Sequence, residues 1–160
     1  MTDRSRDWLA QAERDLEQAR ASQDDDRHEW ACFAAQQSAE KAVKELHLSL
    51  NQEAWGHIVA RLLSELPIEV PQPLIEKAKV IDGFYIPTRY ANGHPEGAPF
   101  EHYGTIQSTD AEKPGCLGLP ALILGENFIQ SVKICTNPCP FFNQRAISRS
   151  NPSLVVWTPV

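Results

Sequence analysis

No uninterrupted apolar run of the roughly 18 residues that a membrane helix needs occurs in this 160-residue chain. Its opening stretch, "MTDRSRDWLAQAERD", is charged and lacks the apolar centre of a secretory signal. A cytoplasmic location with no membrane partner is therefore the expectation. Basic charge is scarce as well: 15 Lys and Arg against 21 Asp and Glu leave a formal net charge of −6. That balance excludes a broadly basic nucleic-acid clamp and leaves room only for a local basic pocket. The four cysteines, Cys32, Cys116, Cys135 and Cys139, do not make a compact disulfide framework. Cys135 and Cys139 offer two donors where a zinc site needs three or four converging ligands, so neither a metal nor a cofactor is expected.

What the chain does have is helical patterning on the scale of one domain. From Asp3 to about Ala21, Trp8, Leu9, Ala12, Leu16 and Ala19 recur at three- and four-residue steps and share one helix face. Asp24, Asp25 and Asp26 then read as a solvated turn and an N-cap for a second helix over about Arg27 to Leu50. That helix carries small residues at 31, 34, 35, 38, 39 and 42, which let another helix approach closely, while Trp30, Phe33, Val43 and Leu46 supply bulk. His28 and His47 are expected on its exposed side. A third helix covers roughly His57 to Leu66, with Ile58, Leu62, Leu63 and Leu66 as its buried stripe and His57 as a capping or surface residue. Pro67, Pro71 and Pro73 end it, and "PLIEKAKVIDGFY" makes a short fourth helix with Leu74, Ala78 and Ile81 inward. Amphipathic helices without a convincing strand predict an all-α, up-and-down four- or five-helix bundle.

The stretch "FYIPTRYANGHPEG", Phe84 to Gly97, interrupts this pattern. Ile86 is pushed toward extended geometry by Pro87. Asn92-Gly93 and Pro95 forbid a continuous helix. Arg89 lies between Tyr85 and Tyr90 and is suited to stacking or to holding an anion. Two readings stay open. In one, the loop is locked by a bridge from Arg89 to an acid such as Glu40. In the other, Arg89 and Tyr90 form an anion or nucleotide site with Lys41 and Lys44 of the second helix.

"WLAQAERDLEQA", "FAAQQSAEKAVKELHLSL", "HIVARLL" and "YIPTRYANG", in that order, resemble the HEPN family of small bacterial and archaeal helical proteins. The resemblance implies a helical bundle of HEPN type that commonly forms a homodimer. It also implies a minimal nucleotidyltransferase as partner, in a module of toxin–antitoxin kind, and nucleotide or RNA as ligand. Active members of the family are metal-independent ribonucleases with an Arg-x(4–6)-His motif. In that chemistry His takes a proton from a ribose hydroxyl and Arg holds the phosphate. Arg89 and His94 meet the spacing and are the catalytic candidates, although the family motif lies on a helix. Some toxins of this class carry a modified Tyr two residues beyond the His; Glu96 stands there.

The family-like sequence stops at Lys113, which divides the chain into a bundle at 1–113 and an atypical segment at 114–160. Pro114, Gly115, Gly118 and Pro120 spoil a helix for two turns. Helical spacing returns only from about Ala121 to Ile134, and the remaining tail is expected to be irregular.

Overall fold

The computed structural model describes residues 4–109 together with Pro120, Ile123 and Leu124. Five α-helices follow in order: α1 (Ser5–Asp24), α2 (His28–Ser49), α3 (Val59–Ser64), α4 (Gln72–Asp82) and α5 (Thr105–Ser108). Single 3-10 turns at Ala91–Gly93 and Pro99–Glu101 lie between α4 and α5, and no strand occurs among the described residues. The all-helical expectation holds. The four-residue helix at 105–108 is too short for its sequence to announce it. Of the helical spacing expected from about Ala121 to Ile134, only Ile123 and Leu124 are described, and both are helical, while the remaining tail lies outside the described residues.

The α1–α2 pair is built on small side chains. Ala12 and Ala19 of α1, and Ala31, Ala35, Ala39 and Ala42 of α2, are all fully buried. The two backbones come close enough for the buried Ser38 hydroxyl to donate to the Ala12 carbonyl at 2.7 Å. A Ser there satisfies its own polar group while filling little space. The short link carries Asp26 at φ +56, a left-handed conformation that Asp tolerates better than most residues. This overturns the capping expectation: α1 runs through Asp24, the residue before α2 is Arg27, and no side chain caps that helix.

Larger residues close the other side. Val43 and Leu46 meet Val59, Leu62 and Leu63 of α3 and Leu74, Ala78 and Ile81 of α4 in a single core. Ile58, expected inside, is 56% exposed, and its neighbour Val59 takes the buried position. Ile58 is the extended residue before α3, so the buried stripe of the helix starts one residue later than the sequence pattern suggests. Two histidines also move inward. His47 is buried and donates from Nε2 to the Leu62 carbonyl at 2.8 Å, tying α2 to α3. His28 meets the buried Ser108 hydroxyl at 2.8 Å and anchors α5. Ile123 is fully buried in the same core, so a residue beyond Lys113 contributes to it.

α3 has no cap of its own. The Asp82 carboxylate, at the end of α4, accepts from the backbone N–H of Val59 at 2.6 Å and of Ala60 at 3.0 Å. Burial pushes the Asp82 carboxyl above the usual carboxylate range; these two hydrogen bonds oppose the rise and the nearby charge of Glu40 adds to it. The folded chain therefore holds this proton at pH values where the unfolded chain has released it. Over that window the folded state carries the extra proton, and stability falls as pH rises.

Asp82→Ala should lower the unfolding free energy by about 1–2 kcal/mol in urea titrations, as loss of a helix cap does. Asp82→Asn, which cannot titrate, should lack the wild-type decline over the window just above the usual carboxylate range. Ile123→Ala should cost about 2–5 kcal/mol; an unchanged midpoint would show that the segment beyond Lys113 adds nothing to the core.

Candidate functional site

The loop after α4 is folded back on itself by local bonds. Thr88, buried, donates from its hydroxyl to the Phe84 carbonyl at 2.6 Å. The Arg89 side chain turns back the same way, giving Nε–H and one Nη2–H to the Tyr85 carbonyl at 3.0 and 2.8 Å. This places the guanidinium over Phe33 of α2 at 4.3 Å, with the Tyr85 and Tyr90 rings at 4.7 and 5.1 Å. Such cation–π contacts contribute about 0.5–2 kcal/mol each and hold the planar group without neutralising it. Among the described residues no carboxylate pairs with Arg89; in particular, the bridge to Glu40 does not form.

Beyond Tyr90 the chain makes one 3-10 turn, Ala91–Gly93, and leaves it extended at His94. A Cβ on Gly93 would lie 2.9 Å from Pro87 Cα, so the two backbones touch only because residue 93 is glycine. His94 completes that closure by donating from Nε2 to the Pro87 carbonyl at 2.8 Å. Its ring stacks on His102 with centroids 4.0 Å apart and planes within 2°. His102 in turn donates to the Glu96 carbonyl at 2.7 Å. Among the described residues no hydrogen bond, ion pair or ring contact joins Arg89 to His94. Arg89 is turned to α2, and His94 is turned into its own loop.

On α2, Lys44 gives an ion pair to Glu40 at 2.8 Å and lies over the Trp8 ring. Lys41 pairs with Asp15 of α1 and reaches Gln37. Both lysine side chains are largely covered, 21% and 12% exposed, and neither ammonium is bonded to Arg89 or Tyr90. Lys41, Asp15, Gln37, Trp30 and Phe33 line an open groove of about 440 Å³ between α1 and α2, and Phe33 is common to the groove and the Arg89 cluster.

Phe33, Trp30 and His57 join the cluster in a way that escapes the sequence pattern. Phe33 and Trp30 read as packing bulk, but Trp30 is 48% exposed and its ring stands edge-on to Phe33. Tyr85 stacks on Phe33 and also on His57, the latter at 5.1 Å. His57 gives Nδ1–H to the Glu40 carboxylate at 3.1 Å, and the Glu40 side chain is 5% exposed. The available signal was the i, i+3 pair of aromatics on a helix whose other face was already filled with alanine. No group of three or more His, Cys, Asp or Glu is placed to hold a metal among the described residues, and Cys135 and Cys139 lie outside them. No described helix is long and apolar enough to cross a membrane.

An all-helical bundle with an Arg-bearing loop laid on its second helix defines a class, and comparison with known proteins agrees. The family model for the HEPN domain matches residues 5–113. TT1696 from Thermus thermophilus is 45% identical and superposes with a TM-score of 0.73, over 82% of this chain and 99% of that one. ST0689, an archaeal HEPN homologue, is 38% identical with a TM-score of 0.64, over 81% of this chain and 98% of that one. No curated protein matches. The chain belongs to the HEPN domain family.

If His94 is a clasp of the loop, His94→Ala should cost about 1–2 kcal/mol of stability, the range for a lost hydrogen bond and its stacked neighbour. Thermal unfolding measures this; an unchanged melting temperature would mean the clasp holds nothing.

Proposed function

We propose that this HEPN protein is a binding member of its family: it takes a nucleotide or an RNA end on the face formed by Arg89, Tyr90 and Phe33. Family membership supports two further parts of the reading, that it acts as a homodimer and beside a nucleotidyltransferase-like partner in a toxin–antitoxin-like pairing. One observation carries the binding reading. Arg89 spends two of its five N–H groups on the Tyr85 carbonyl and rests on aromatic faces, which leaves three donors and its whole charge for an anion. Lys41 lies farther along the groove that Phe33 also lines, where it can meet a ligand extending from Arg89.

The rival within the family is a metal-independent ribonuclease using Arg89 and His94. Its spacing is met, but His94 commits Nε2 to the Pro87 carbonyl, and its ring faces His102. The binding reading predicts no RNA cleavage by the folded wild-type protein in EDTA. It also predicts nucleotide binding that Arg89→Ala weakens at least tenfold, as loss of a charged hydrogen-bonding group does. Cleavage by wild type that both Arg89→Ala and His94→Ala abolish would replace this reading with the ribonuclease.

A further inference from the structure

A second histidine stands at this site with a geometry that the Arg-His spacing does not reveal. His57 is fixed from three directions. Its Nδ1–H goes to the Glu40 carboxylate, at 3.1 and 3.2 Å from the two oxygens. Its ring lies nearly parallel to Tyr85, with an interplanar angle of 14°. Its backbone carbonyl accepts from the fully buried Gln36 side chain at 2.9 Å. Glu40 is itself held by Lys44 at 2.8 Å. A carboxylate accepts only, so in the neutral imidazole the proton sits on Nδ1 and Nε2 presents a lone pair. Nε2 has no partner among the described residues, and the side chain is 57% exposed.

Arg89 and His57 both pack against the same ring, with the guanidinium carbon 4.7 Å and the imidazole centre 5.1 Å from the centroid of Tyr85. Sharing one ring keeps the cationic fork of donors and the imidazole acceptor within the span of one small ligand. The flat faces of Trp30, Phe33 and Tyr90 lie alongside, with Trp30 and Tyr90 about half exposed. An anion, a hydroxyl donor and a planar ring in one small molecule describe a ribonucleotide.

We infer that His57, positioned by Glu40, reads a ribose hydroxyl through Nε2 while Arg89 holds the phosphate, so that the site selects ribonucleotides over their deoxy counterparts. This rests on the nucleotide-binding reading above and adds the residue that sets sugar specificity. Glu40 acts through His57 and touches no ligand.

The test compares adenosine monophosphate with its analogue lacking both ribose hydroxyls, titrated by tryptophan and tyrosine fluorescence against wild type, His57→Phe and Arg89→Ala. Phe keeps a flat ring on Tyr85 and removes the acceptor, so it separates reading from stacking. Wild type is expected to prefer the ribonucleotide on the order of tenfold, the upper range for one hydrogen bond. His57→Phe is expected to bind the two equally, at the affinity wild type shows for the analogue, and Arg89→Ala to lose both. In the wild-type protein, the imidazole nitrogen resonances of His57 seen by NMR should move with the ribonucleotide and not with the analogue, which needs no variant to fold. Equal binding of both ligands by wild type, or an unchanged preference in His57→Phe, would overturn the role of His57 and leave the binding site standing. Binding of neither ligand would overturn both.

Discussion

The close approach of α1 and α2 is the constraint on which the rest of the molecule depends. Alanines on both helices and the Ser38 hydroxyl on the Ala12 carbonyl bring the two backbones together. With that side of α2 given to α1, and Val43, Leu46 and His47 given to α3 and α4, its remaining strip faces outward. Trp30, Phe33 and Gln37 stand on that strip, and Glu40 and Lys44 continue it beneath His57 and Trp8, where their side chains are nearly covered. A bulkier residue at Ala35 or Ala39 would do more than open a seam. It would rotate or displace α2 and carry Phe33 away from Arg89 and Glu40 away from His57, because close-packed interiors transmit such changes.

Asp82 extends the same logic to the far side of the site. It is the last residue of α4, the helix that delivers Tyr85 and Arg89, and it holds the start of α3, the helix that follows His57. One carboxylate thereby ties together the two segments that reach the Tyr85 ring. The desolvation it suffers is the cost of placing a charged cap between helices, offset in part by the two backbone donors it satisfies.

The all-helical class, the order of the first four helices and most core positions were legible because they follow from spacing along single helices. Leu74, Ala78 and Ile81 needed only the periodicity of α4, and the small residues of α2 announced a close neighbour. What the pattern missed depends on partners distant in sequence. His47 looks like a polar residue on a polar face until the Leu62 carbonyl, fifteen residues on, needs a donor. His28 looks solvated until Ser108 arrives from eighty residues away. Asp24 to Asp26 have good capping side chains, but α1 continued through Asp24 and the turn used Asp26 for its left-handed backbone instead. The site followed the same rule. Arg89 and Tyr90 were visible as a local cation flanked by aromatics, whereas Phe33 and His57 belong to it only through tertiary contact.

The charge of the whole chain and the charge at Arg89 pull in opposite directions, and their ranges differ. A net charge of −6 opposes the approach of any polyanion from a distance. At physiological salt that field fades over about 8 Å, so it penalises each phosphate of a long strand that lies along the acidic surface. A short ligand places its single phosphate against Arg89 and keeps few other charges near the protein. The aromatic cradle matters here, because it fixes the guanidinium by polarisable faces and a carbonyl rather than by a carboxylate that would cancel it. The proposed binding role, for a small anionic ligand or the end of a strand, is the one that an acidic chain with an unneutralised Arg on an aromatic bed accommodates. Extended RNA would need a basic track, and the lysines nearest the cluster, Lys41 and Lys44, are already paired with Asp15 and Glu40.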